Sequence, residues 1–165
     1  QIGVRTYHRD YDPFSPTREY ALKKINNKQR IALKKTITSK EASHEAKLFS
    51  TKWSKYDLVI GDLPGTTQKT TEILASAGTH AIILCSDKKS EEIKNWNAFF
   101  DKIQKPIICI IESNLNGIEE ITDGKVIHAK LSNLDRENLS LPPYSQNSID
   151  LAMLISQKLS IKKFS

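Results

Sequence analysis

The chain has 165 residues, the length of one domain with a sizeable core. Hydrophobic residues make up 38% and charged residues 27%, which predicts a soluble globular domain and excludes a fibrous or disordered chain. No apolar run approaches membrane-spanning length. No signal peptide is visible, and the start at Gln1 rather than Met predicts further residues upstream. Cys85 and Cys109 both lie in apolar runs, so they read as buried thiols of a reducing, cytoplasmic compartment rather than a metal site or a disulfide. The net charge of +6 is unevenly placed: residues 1–55 hold 13 Lys and Arg against 5 Asp and Glu. A basic stretch of this kind attracts nucleotide phosphates, RNA or an acidic surface, and it equally describes a solvated lysine-rich helix face.

In chain order, Ile2 to Tyr7 reads as a strand and His8 to Pro16 as a polar loop broken by two prolines. His8, Arg9, Asp10 and Asp12 are four candidate chemical groups in that loop. Pro16 to Asn27 has a helix start signal and good helix formers. Gln29 to Thr38 fits helix, strand or arm. Ser39 to Trp53 reads as a helix without a capping box, with Ala42, Ala46, Phe49 and Trp53 as its core stripe.

The stretch Tyr56 to Gly65 carries the strongest chemical signal. Leu58, Val59 and Ile60 form an apolar run that predicts a buried strand of a parallel sheet, and Pro64-Gly65 ends it. Asp62 is therefore expected at the carboxyl end of a strand, the edge where open α/β sheets bind ligands. A carboxylate there suits a magnesium ion that keeps most of its waters, and Gly65 allows backbone to approach a phosphate. The same letters also suit an ordinary strand ending in a D-x-P-G turn.

Thr66, Thr67, Gln68 and Lys69 then lead into a helix over Gln68 to Ala77, with Ile73 and Leu74 inward and Gly78 as its stop. Thr79 to Ser86 and Pro106 to Glu112 read as two more buried strands, the first followed by Asp87. Between them, Ser90 to Gln104 is a helix with Ile93, Trp96, Phe99, Phe100 and Ile103 as core. Ser113 to Gly117, with Asn114 and Asn116, forms a polar loop at a strand end. Gly124 to Leu131 reads as a fourth strand near an edge, with His128 packed. Asn133 to Gln146 reads as loop. Ser148 to Leu159 reads as a terminal helix with Ile149, Ala152, Met153, Ile155 and Leu159 apolar, followed by a frayed lysine tail. The spacing of strands and helices from Tyr56 onward predicts an α/β fold: one doubly wound, mostly parallel sheet with helices on both faces. The expected organisation is a single domain over 1–165, with a basic third at 1–55, a sheet core at 56–132 and a C-terminal loop and helix at 133–165.

Asp62-Leu63-Pro64-Gly65 resembles the Walker B segment of P-loop NTPases of the ParA/MinD and dethiobiotin synthetase branch. Read together with Thr79-His80-Ala81-Ile82-Ile83-Leu84, Trp96 to Phe100, Ser113 to Gly117 and Leu134-Asp135-Arg136, it resembles the NTPase-like half of CRISPR-associated proteins that fuse a ring nuclease to an ATPase. The similarity covers about residues 56–140. It implies ATP or another NTP with Mg2+ as cofactors. Asp62 would hold the metal, and Gly65 and Thr66 would face the γ-phosphate. Gln68 would arrange the attacking water, and Asn114 or Asn116 would lie near the base. No G-x-x-x-x-G-K-[ST] phosphate loop exists in the sequence, so it is expected before Ile2 or the domain is degenerate. The ring-nuclease half is also absent, and an upstream ring-nuclease domain is an expected partner. Two other readings stay open. One is an inert module whose basic third binds RNA or cyclic oligoadenylate. The other is a scaffolding or homo-oligomerisation domain.

Overall fold

The computed structural model describes residues 4–11, 26, 37–86, 90–114, 118–132 and 145–160. Most of the expected helix over 16–27, most of segment 29–38, Asp12, Asp87, Asn116, the loop over 133–144 and the lysine tail lie outside these residues. The fold is mixed α/β, with sheets that are mostly parallel. The chain divides into two compact units, Arg5–Gly78 and Gln1–Val4 with Thr79–Ser165.

The first unit holds β1 (Thr6–Asp10) and β2 (Leu58–Asp62), paired in parallel, with α1 (Ser39–Ser50) and α2 (Lys69–Ser76). Strand β1 runs through His8, Arg9 and Asp10, which the sequence had assigned to a loop. Its alternation is hidden by polar letters: Thr6, His8 and Asp10 are exposed, whereas Tyr7, Arg9 and then Tyr11 turn inward. Tyr11, Ala42, Phe49, Leu74 and Ala77 form this unit's core, with Val59 and Leu63 packed against it. The helices thus cover the Tyr7 and Val59 face of the sheet, and Ile60 on the other face remains 45% exposed.

Helix α1 starts at a true capping box, one residue upstream of the position tested in the sequence. The Thr38 hydroxyl accepts from the Glu41 N–H at 3.3 Å, and the Glu41 carboxylate accepts from the Thr38 N–H at 2.8 Å. The hydrogen bonds from Thr38 hold the Glu41 carboxyl below its ordinary value. Because α1 ends at Ser50, Trp53 falls outside the helical stripe and is 48% exposed, not core as expected.

The second unit holds a four-stranded sheet in the order β3-β4-β6-β5, formed by β3 (Ala81–Ser86), β4 (Ile107–Asn114), β5 (Glu120–Thr122) and β6 (Ile127–Ser132). Strands β3, β4 and β6 are parallel, and β5 is antiparallel to β6. The expected single sheet is corrected here: β3 and β4 pair as predicted, but β2 takes its partner from β1. The fourth strand, β6, lies one strand in from an edge, which the unforeseen β5 forms. Three residues are too few to show a strand period.

Helix α4 (Gln146–Lys158) packs Leu151 onto Cys109, Ile127, Ala129 and Leu131, with Leu154, Ile155 and Leu159 beside it. Leu151 anchors the stripe, and the apolar Ile149 and Met153 are 44% and 42% exposed. Helix α3 (Ser90–Lys102) lies against β3 and buries Phe99 and Phe100, with Trp96 half-buried and stacked on Phe100. Ile83, Cys85 and Ile110 are buried on one face, while Cys109, Ala129 and Leu131 meet α4 on the opposite one. This sheet therefore has helices on both faces. His128 sits on the face α4 does not cover and is exposed, not packed as expected. At the other corner Leu84 is 57% exposed. Both thiols are buried, as the sequence predicted; the Cys85 thiol donates to the Ile111 carbonyl at 3.7 Å, and burial pushes the Cys109 thiol up to about 11.

Helix α4 is tied to the β5–β6 pair at both ends. Glu119 accepts from the Ser132 N–H at 3.1 Å, the Ser132 hydroxyl at 2.9 Å and the Asn147 side-chain amide at 2.9 Å. These bonds, led by that from Asn147, hold its carboxyl below the ordinary value. At the far end, Lys158 pairs with Asp123 at 3.2 Å and donates to the Gly124 carbonyl.

Candidate functional site

The site residues expected from sequence gather mainly at the carboxyl end of β1–β2. The register pairs Asp10 directly with Asp62, and the Tyr11 N–H extends the ladder by donating to the Asp62 carbonyl at 2.8 Å. Neighbouring strands lie about 4.8 Å apart, and in-register residues of parallel strands project to the same side. Both aspartates are exposed. Two carboxylates are thus placed side by side at the edge where the strands end. His8 is on the same face one step back, in register with Ile60. Sequence reasoning named Asp10 only as one of four loop groups. Its partnership with Asp62 depends on register between residues far apart in sequence, and the Tyr7-x-Arg9-x-Tyr11 alternation is the only local signal of it.

Gly61 explains how the Tyr11 ring packs over the sheet here. A Cβ at Gly61 would lie 2.7 Å from the Tyr11 ring and 3.3 Å from Phe49. The Tyr11 ring occupies that space, so the residue before Asp62 must be glycine. Gly65 is different: nothing lies within 4 Å of a Cβ built there, so no neighbour in the chain requires its small size.

After Asp62 the chain passes through half-buried Leu63 and Pro64 to exposed Gly65, Thr66 and Thr67. The loop is held from below: the Thr66 N–H donates to the Pro64 carbonyl at 2.7 Å, and the hydroxyl of fully buried Thr71 donates to the Thr66 carbonyl at 2.7 Å. Gln68 is the N-cap of α2, extended and exposed, and its side chain makes no capping bond. Asp62, Gly65, Thr66 and Gln68 are therefore one continuous strand, loop and helix start. Asn114 ends β4 in the other sheet, in register with Ser132, and so is not on the same sheet edge as Asp62.

No family model matches the chain. No curated protein matches it. Among solved structures, a nucleotide-binding protein from Archaeoglobus fulgidus, in complex with ADP and with cobalt, is similar at a TM-score of 0.42 and 12% identity. The match covers 96% of this chain and 66% of that one, so the chain spans slightly less than two thirds of its length. A likeness at that level does not identify a fold.

The donor set decides which metal the edge suits. Among the described residues no group of three or more His, Cys, Asp and Glu side chains could hold a metal ion. Two carboxylates do fit magnesium, which keeps several waters and uses one or two acidic anchors.

On the opposite face of β1, Arg9 is engaged elsewhere. Its Nε and Nη2 both donate to Glu45, at 3.0 and 2.7 Å, and that hydrogen bonding raises the guanidinium pKa. Arg9 therefore does not share the aspartate edge, although it stands next to Asp10 in sequence. Among the described residues no helix is long and apolar enough to cross a membrane.

Proposed function

We propose that the carboxyl edge of the β1–β2 sheet binds a magnesium–nucleotide complex, ATP or another NTP, as part of an NTPase-like domain. The observation that carries this reading is the in-register pair Asp10 and Asp62 at the ends of two parallel strands. Asp62 anchors the ion through its water shell, and Asp10 is the second carboxylate. The ion neutralises the repulsion between two adjacent carboxylates and the phosphates they would otherwise repel. Gly65 and Thr66 lie next along the chain and offer backbone and hydroxyl groups to a terminal phosphate. Gln68 leads into α2, whose first N–H groups favour an anion. In this reading Gln68 positions the attacking water. On the family resemblance alone, the domain serves in CRISPR-associated cyclic-oligoadenylate signalling beside a ring-nuclease domain.

The test is calorimetric titration of ATP into the chain, with and without Mg2+, for wild type, Asp62→Asn and Asp10→Asn. The near-identical shape of the substituted side chain keeps the fold. The expected result is magnesium-dependent binding that weakens about tenfold in each variant, the loss of one charge-assisted contact. Equal affinity for wild type and Asp62→Asn under both metal conditions would sink the assignment.

A second reading has its own observation. The segment Lys47 to Tyr56 carries three lysines and no acid, and Trp53 stands exposed between Lys52 and Lys55. Exposed aromatics among lysines suit single-stranded RNA, with bases stacked and phosphates neutralised. Under this reading, affinity for an RNA oligonucleotide falls steeply with salt, and Trp53→Ala costs about 1–3 kcal/mol. A salt-independent affinity excludes it.

A further inference from the structure

Thr71 lies in the first turn of α2 and is fully buried. Helical serines and threonines commonly turn their hydroxyl back to a carbonyl three or four residues earlier in the same helix. Ser43, Ser50 and Ser76 do so, donating to the carbonyls of Ser39, Ala46 and Ile73. Thr71 instead reaches out of its helix and donates to the Thr66 carbonyl, five residues back, at 2.7 Å. Packing alone does not ask for that hydroxyl, since valine has the same shape. Its use is the carbonyl it holds.

That bond sets the direction of a neighbouring donor. The peptide between Thr66 and Thr67 is trans, so its C=O and N–H point in opposite directions. With the Thr66 carbonyl drawn inward to buried Thr71, the Thr67 N–H turns outward. Thr67 is exposed, and its N–H has no acceptor among the described residues. The rest of the loop is constrained as well. The Asp62 carbonyl is held by the Tyr11 N–H, Pro64 has a fixed φ, and the Thr66 N–H donates to the Pro64 carbonyl at 2.7 Å. The outward N–H is therefore in place before a ligand arrives.

We propose that Thr71 is a positioning residue of the aspartate edge: by holding the Thr66 carbonyl inward it presents the Thr67 N–H to the terminal phosphate of a nucleoside triphosphate, and so lets the site discriminate triphosphate from diphosphate. The inference rests on the magnesium–nucleotide reading and adds to it the phosphate that the loop after Asp62 reads. A donor already in place needs no ordering on binding, and its bond to a phosphate oxygen is charge-assisted. A diphosphate lacks the group this donor serves.

The experiment titrates ATP and ADP, each with Mg2+, into the 165-residue chain by calorimetry, and follows the Thr67 amide by NMR in the wild type. The wild type should bind ATP about tenfold tighter than ADP, the loss of one charge-assisted contact. The Thr67 amide proton should shift with ATP and not with ADP. Thr71→Val keeps the shape, removes the hydroxyl and should bind the two nucleotides equally. Thr71→Ser keeps the hydroxyl and should retain the preference. Both variants lower the melting temperature, so a preference lost in both would mark a purely structural role and overturn the proposal. A preference retained in Thr71→Val, equal binding of ATP and ADP by the wild type, or a Thr67 amide unmoved by ATP would overturn it too, while leaving magnesium–nucleotide binding intact. Absence of any magnesium-dependent binding by the wild type would instead overturn that underlying reading, and this inference with it.

Discussion

Replacing Gly61 by alanine tests the packing of the Tyr11 ring over β2, beside the two aspartates. The added methyl would stand 2.7 Å from Tyr11 Cε2, where ordinary contact begins at 3.4 Å. The Tyr11 ring must therefore retreat by about 0.7 Å, against a Phe49 ring that is itself only 3.3 Å from the new carbon. Neither ring has room, since Tyr11 and Phe49 are both buried and lie 5.5 Å apart centre to centre. Overpacking of this kind costs about 1–3 kcal/mol, and the two rigid neighbours place Gly61→Ala near 2–3 kcal/mol. For a chain of this size that lowers the melting temperature by roughly 5–10 °C. Urea unfolding followed by circular dichroism measures it, with the slope against denaturant unchanged if only stability has moved. In a Tyr11→Leu background the cost should shrink, because the ring that blocks the methyl is gone. A cost below about 0.5 kcal/mol, or an equal cost in both backgrounds, would show that the Tyr11 ring does not block a side chain at Gly61.

Glu119→Gln should lower stability at neutral pH and flatten the acid limb of the stability curve. The folded carboxyl titrates below its ordinary value of 4.5, so its contribution is present above that value and lost as pH falls through the depressed one. Identical acid limbs for wild type and variant would remove Glu119 from the account. In α3, Phe100→Ala should cost about 3–5 kcal/mol, and half-buried Trp96→Ala about 2 kcal/mol. The reverse order in thermal unfolding would show that Trp96 is the principal core residue of that helix.

The strands legible in the sequence were those with continuous apolar letters. Ala81-Ile82-Ile83-Leu84 and Ile107-Ile108-Cys109-Ile110 announce β3 and β4 without help from context. Strand β1 was harder, because His8, Arg9 and Asp10 look like loop letters until Tyr7 and Tyr11 are seen to lie on one face. Arg9 can point inward because Glu45 is there to receive it, and that partner comes from another element. The position of Asp62 at a strand end was readable, since the apolar run and Pro64-Gly65 bracket it. Its pairing with Asp10 was not, because register between distant segments leaves no local trace. Apolar letters also misled where the helices do not reach: Leu84 sits on a sheet face beyond α4, and Trp53 follows the end of α1.

The double tether of α4 has a dynamic consequence. With Asn147 fastened to Glu119 at one end and Lys158 fastened to Asp123 and Gly124 at the other, the helix cannot lift from the sheet without breaking both connections. Its buried contact through Leu151 lies between them. Fraying from either terminus is therefore blocked. The amide protons of α4 should exchange with solvent at the same slow rate as those of β6, through one cooperative opening that releases helix and hairpin together.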